Sequence, residues 1–166
     1  MKHTFAAPWA TSLKVISLLS TILLLAITWL VPVPEQPEWI GTVVRASPVV
    51  ILGVCALYTV RGYEVRGGWL NVRRLLWVTN IPLRTLTEAE WRRGPFGWAW
   101  RVAGNGGLFS FSGWFRQKPL GTFRALATRT SDAVILKFSD RRPIVVTPDD
   151  PARFVEVVKA EQVGRV

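Results

Sequence analysis

Two long apolar runs open the chain, and short runs of alternating apolar and polar residues follow them. The first run, Leu13 to Val31, holds only one charge, Lys14, at its edge. At ~1.5 Å per residue it would span about 28 Å, close to the roughly 30 Å of a bilayer core. The lysine can snorkel out to the interface, and Ser17, Ser20, Thr21 and Thr28 can bond to helix carbonyls or to a partner helix. A cleaved signal peptide is the competing reading. The run is long for that role, and no small-x-small cleavage site follows it. The second run, about residues 40–60, contains Arg45 and Pro48. A charge inside the bilayer costs roughly 2.5 to 3.5 kcal/mol on insertion scales, but Arg45 lies near the start of the run and can reach outward. Pro48 kinks the helix or sits in its first turn. The two runs and the short link between them predict a transmembrane hairpin.

Charge orients this hairpin. The link, residues 32–38, carries Glu35 and Glu38 and no base, whereas Lys2 and Lys14 precede the first run and Arg61, Arg66, Arg73 and Arg74 follow the second. The positive-inside rule then places the link outside and both termini in the cytoplasm of a bacterial inner membrane. Trp29 and Trp39 at one end, and Tyr58 and Tyr63 at the other, suit interfacial anchors. Residues 1–61 are therefore expected to form an N-terminal anchor with spans at about 13–31 and 40–60.

After Arg61 the pattern changes to period two. Tyr63-Glu64-Val65 and Trp69-Leu70-Asn71-Val72 flank Arg66-Gly67-Gly68, which predicts a tight hairpin. Leu76 to Ile81, Trp98 to Val102, Gly121 to Thr128, Ala133 to Phe138 and Pro143 to Val146 extend the series to about seven antiparallel strands, and Ser139-Asp140-Arg141-Arg142 reads as a turn. The spacing implies a small barrel or sandwich. Thr147-Pro148-Asp149-Asp150 offers one helix start and Asp150-Pro151 another. Phe154, Val155, Val157 and Val158 then form an apolar face suited to cover the end of a barrel.

These segments carry a resemblance. A two-span hairpin, then Tyr63-x-Val65, Gly68-x-Leu70-x-Val72, Ile81-Pro82-Leu83 and Arg101-Val102-Ala103-Gly104-Asn105-Gly106-Gly107-Leu108-Phe109, resembles the bacterial pleckstrin-homology (PH) domain family of membrane proteins. Leu120-Gly121-x-Phe123-x-Ala125-x-Ala127-Thr128 and Ile144-Val145-Val146-Thr147-Pro148-x-x-Pro151-x-x-Phe154 are similar too. The resemblance implies an α+β fold over residues 62–166, with about seven antiparallel strands in a bent barrel capped by a C-terminal helix.

Composition narrows the chemistry. The chain has one histidine, His3, and one cysteine, Cys55. An internal disulfide and two-cysteine motifs are thus excluded, and no metal or cofactor is expected. Cys55 reads as a small buried hydrophobe, with palmitoylation the remote alternative. No nucleophile elbow or acid-base pair is present, and Glu88 and Glu90 would share a strand face without a catalytic partner. Enzymatic activity is not expected. Gly104-Asn105-Gly106-Gly107 lacks the Lys-Ser/Thr of a phosphate loop and reads as a turn or bulge.

Net charge is +10, and from Arg61 onward 18 Lys/Arg face 9 Asp/Glu. Basic charge alone fits nucleic acid as well as anionic lipid; the membrane runs favour lipid, and no nucleic-acid partner is expected. Arg61, Arg66, Arg73 and Arg74 are the candidate contacts to anionic lipid. They are equally readable as positive-inside anchors, since the lysine-led phosphoinositide spacing of eukaryotic relatives is absent. Phe109, Phe111, Trp114 and Phe115 are a candidate interface loop. The expected function is a membrane-held PH-like binding or assembly module, with partners among membrane lipids, another protein or a second copy. A lipid-headgroup sensor and an accessory subunit of a transport or secretion complex are the alternatives.

Overall fold

The computed structural model of the chain describes residues 2–30, 32, 38–95, 99–118 and 120–163. Two helices, α1 (Thr11–Leu30) and α2 (Glu38–Leu57), follow a first strand, β1 (Lys2–Ala6). The α1 stretch lacks glycine and proline, and its hydroxyls turn inward: Thr21 Oγ1 donates to Ser17 O at 2.7 Å and Thr28 Oγ1 to Leu24 O at 3.0 Å. A hydroxyl bonded one turn back costs little on an apolar helix. In α2 the hydroxyl of Ser47 donates to Val44 O at 2.9 Å, one residue before Pro48, which cannot donate its own nitrogen. The helices pack on each other but hardly on anything else, with 11% and 6% of their apolar stretches buried. They are long and apolar enough to cross a membrane, and they are not core helices of the β domain. Most of the link read as an external loop lies outside the described residues.

The β domain has two sheets. The first runs β1-β2-β3-β4, with β2 (Gly62–Arg66), β3 (Trp69–Arg73) and β4 (Val78–Pro82) all antiparallel. The expected hairpin is present: Arg66 faces Trp69, and Gly67 and Gly68 take φ of 58° and 72°, the left-handed pair that a two-residue hairpin turn needs. The strand β1 was not expected. It lies outside the apolar pattern and exists through pairing, with Lys2 opposite Arg66 and Ala6 opposite Gly62. A side chain at Gly62 would meet Phe5 O at 2.8 Å, so only glycine allows this approach. Because β1 precedes α1 and β2 follows α2, both ends of the helical pair leave the same end of this sheet.

The second sheet runs β5-β9-β10-β8-β7-β6, built from β5 (Leu86–Pro95), β6 (Trp100–Gly106), β7 (Phe111–Gln117), β8 (Gly121–Ala127), β9 (Ser131–Phe138) and β10 (Ile144–Val146). Here β10 runs parallel to β8, and the other pairs are antiparallel. The edge strands β5 and β6 are neighbours in sequence, Pro95 to Trp100. A flat sheet of six strands is about 24 Å across, whereas that short connection reaches roughly 18 Å at full extension. The sheet must therefore curl. The expected PH-like order of bent β structure followed by a C-terminal helix is present, and the described residues refine it to ten strands in two sheets, one pair of them parallel, without a closed barrel. Besides β1, two strands of this curled sheet lie outside the expected series. Leu86–Pro95 carries a register shift that breaks its alternation, and Phe111–Gln117 contains Gly113, which made it read as a loop. Glu88 and Glu90 do share a face, both reaching Lys137 Nζ, at 2.8 and 4.0 Å.

The curled sheet is buried on both sides. Val134, Leu136 and Phe138 of β9 join the main core with Leu70, Val72 and Ile144, while Ala133 and Ile135 join Phe115, Phe123 and Val145 in a second cluster. This explains the unbroken apolar run of β9. Tyr63 ties the two sheets together: its hydroxyl donates to Leu126 O at 2.6 Å and accepts from Thr147 N at 3.1 Å. Full burial pushes this phenol up to about 12. The closing helix α3 (Pro151–Val163) uses the second of the two expected starts. Asp150 Oδ1 accepts from Arg153 N at 3.1 Å and Pro151 is the first helical residue. Thr147 instead accepts from Thr128 N at 3.0 Å. Phe154 and Val158 fill the core, with the Phe154 ring edge-on to Phe5 at 5.1 Å.

Candidate functional site

Residues of five elements converge where the helices meet the sheets. The last carbonyls of a helix lack partners inside it. In α2 this need is met from the β domain: Tyr58 O accepts from Arg74 Nη1 at 2.7 Å and from Ser110 Oγ at 3.1 Å. Arg74 follows β3, and its guanidinium also donates to Ser112 Oγ of β7 at 2.9 Å and, through Nε, to Thr79 Oγ1 of β4 at 3.1 Å. The rings of Tyr58 and Trp77 lie 5.4 and 5.8 Å from its centre and are edge-to-face with each other at 5.2 Å. A cation at a helix C-terminus also complements the helix dipole. Arg74 is only 5% exposed. Burial, and then the nearby Arg124 guanidinium, lower its pKa from the ordinary arginine value.

The other helix is held by a turn. Gly107 O accepts from Ser17 Oγ at 3.3 Å, and the same hydroxyl accepts from Phe109 N at 2.9 Å. Phe109 sits at φ 65°, a strained value for a bulky residue, and its ring is 6.2 Å from that of Trp9. Asn105 closes the turn, its carbonyl oxygen accepting from Leu108 N at 3.0 Å and its amide donating to Leu108 O. The glycine cluster is thus a turn and close-approach device: a side chain on Gly104 would meet Ser112 O at 2.6 Å. Leu13 and Ser17 are buried by this docking. Ser17, expected to bond within its helix or to a partner helix, bonds instead to this turn of the β domain.

The four arginines do not form one patch. Arg61 and Arg73 are exposed at the helix end of the first sheet, where Arg61 N donates to Arg73 O at 2.8 Å. Arg66 is exposed at the opposite end, beside the hairpin turn and level with Lys2. Arg74, read as a lipid contact, is the buried clamp just described, and its donors at Nε and Nη1 are engaged by protein oxygens. The four aromatics separate likewise. Phe109 packs at the joint, Phe111 and Phe115 belong to the second core, and Trp114 faces outward under Arg142 at 5.6 Å.

One edge of the curled sheet stays uncovered. β5, the opposite edge, is backed by α3 and bears Glu88, Glu90, Arg92 and Arg93. β1 is tied through Ala6, whose nitrogen donates to Asp149 Oδ1 at 3.1 Å. β4 is short and ends in Pro82. By contrast β6 is the terminal strand of its sheet, and all of it but Asn105 is exposed, with Trp100 72% and Val102 61% accessible. Exposed apolar edges are templates for strand addition, and proteins usually blunt them.

Residues 61–162 match the family model of the bacterial PH domain, which covers more than half of the chain. The chain belongs to that family. No curated protein matches it, and no solved structure does. PH domains are in general binding modules without catalysis of their own.

Proposed function

We propose that this bacterial PH domain is held at the cytoplasmic face of the inner membrane and acts there as an assembly module. Residues 1–61 would form the anchor, with α1 and α2 as its spans, and residues 62–166 the cytoplasmic binding domain. Length, apolarity and exposure of the two helices support the anchor. The pairing of β1 with β2 supports a hairpin, since both helix ends then emerge on one side. The charge asymmetry of the flanks supports the cytoplasm as that side.

The observation that carries the binding role is the β6 edge. Its backbone can pair with a strand of a second copy or of a protein partner, and Trp100 and Val102 supply apolar contacts on its faces. The helices would confine this edge to the membrane shared with neighbouring copies, which raises its effective concentration. The test is the particle mass of full-length protein in mild detergent, wild type against Val102→Lys, a charge that blunts an edge. Wild type should exceed the mass of one chain and the variant should not. An unchanged mass distribution in the variant would remove β6 as the docking strand between copies, and a wild type that is already monomeric would remove self-association.

A further inference from the structure

A cavity of about 350 Å³ opens between the last turn of α2 and the β6–β7 pair. Val54 and Tyr58 line it on the helix side, Asn105 and Ser112 on the strand side, and Arg74 and Arg124 supply two cations. Among the described residues no aspartate or glutamate lines it. Arg74 gives its hydrogen bonds to neutral oxygens only. Arg124, on β8, makes no side-chain hydrogen bond or ion pair among the described residues. Like charges at one partly buried cavity oppose folding unless an anion balances them.

The chemistry of the cavity selects the anion. Planar guanidinium forks match the oxygens of a phosphate. Ser112 Oγ accepts from Arg74, so its own proton is free to be given to a third oxygen. The flank of α2 below the cavity is aliphatic and exposed at Val50, Ile51 and Val54. A soluble anion would have no use for that flank, whereas an acyl chain would lie against it.

We infer that this cavity binds the phosphate of one anionic phospholipid, with Arg74, Arg124 and Ser112 on the headgroup and the acyl chains along α2. This rests on the membrane reading above, which sets the last turn of α2 at headgroup depth. The site is at the other end of the domain from the β2–β3 hairpin and Arg66. Arg74 doubles as the helix clamp, so Arg124 is the residue whose role is separable.

The test uses full-length protein in nanodiscs of phosphatidylcholine mixed with phosphatidylglycerol, with the lipids retained after release counted by native mass spectrometry. The wild type should retain one phosphatidylglycerol per chain, preferred by about tenfold over phosphatidylcholine, whose trimethylammonium group would lie close to the two guanidiniums and repel them. Arg124→Gln should bring the two lipids to parity without lowering the thermal midpoint in pure phosphatidylcholine, and Arg124→Lys should restore part of the preference. Equal retention by the wild type, or a preference surviving in Arg124→Gln, overturns the site. Inorganic phosphate that displaces phosphatidylglycerol at equal concentration overturns lipid as the source. Carbonate washing of membranes tests the anchor separately. Chain found in the wash defeats the membrane reading and the lipid site with it; chain kept in the pellet leaves a failed lipid preference as a failure of the site alone.

Discussion

The joint at the helices and the β6 edge are made of the same residue types, arginine, glycine and aromatic, and use them in opposite ways. At the joint Arg74 and Ser17 bind across elements distant in sequence, and the glycines let backbones approach. Along β6 the side chains of Arg101 and Val102 are exposed, and nothing among the described strands pairs with the outer side. The contrast teaches that the helical pair is not a loose appendage of the β domain. The β domain is bonded to both helices, so its orientation to them is fixed, and the open edge is presented at a fixed angle.

The strongest way to break this contrast is to cut the clamp. Arg74→Ala removes three hydrogen bonds from a buried cation and leaves Tyr58 O one donor short. It should cost roughly 3 to 5 kcal/mol, read as a fall in the denaturation midpoint in detergent. Arg74→Lys should recover less than half of this, because an ammonium cannot span the same three partners. A stable Arg74→Ala protein would mean that the joint is held by packing instead.

A smaller effect separates the core from the joint. Tyr63 has its pKa raised from 10.0 to about 12. Its neutral form is the one the fold holds, so the folded state keeps the proton longer than the unfolded state does. This contribution is complete below pH 10 and is lost between pH 10 and 12, up to about 3 kcal/mol. Tyr63→Phe should flatten that slope, at its own cost of about 1 to 2 kcal/mol at neutral pH. Unfolding followed across this range, with both proteins, checks it.

The smallest effect sharpens the joint itself. Ser17→Ala leaves Phe109 N without its acceptor and should cost about 1 to 2 kcal/mol. Hydrogen exchange should quicken at residues 107–110 and not along β6. Equal quickening at both sites would show that the turn and the edge open as one unit.

Much of this arrangement is legible in the chain. Gly67-Gly68 between alternating segments marks the first hairpin, Asp150-Pro151 marks the start of α3, and two apolar runs mark the helices. These features are local, so local chemistry reveals them. The strand β1 is not, because Lys2–Ala6 is defined by a partner across the whole helical pair. The strand β7 was hidden by Gly113, whose place is fixed by the backbone of Ala103 and Gly104 opposite, 2.3 and 2.8 Å from where a side chain would begin. The place of Arg74 as the helix clamp was hidden for a related reason. Arginine is rarely buried, and its burial here follows from three oxygens brought together by folding, none adjacent to it in sequence. Arg124 and Ser112 carried no signal for the same cause.

The pairing of β1 with β2 also sets an order of events during synthesis. β1 leaves the ribosome first but has no neighbour until β2 follows, about 50 residues later, after both helices. Closing a loop of that size costs roughly 3.5 kcal/mol in chain entropy, and the packing of α1 on α2 offsets it by bringing the ends together. The ladder then acts as a latch. Once its five pairs are formed, the helical pair cannot move away from the β domain without unzipping a strand from it.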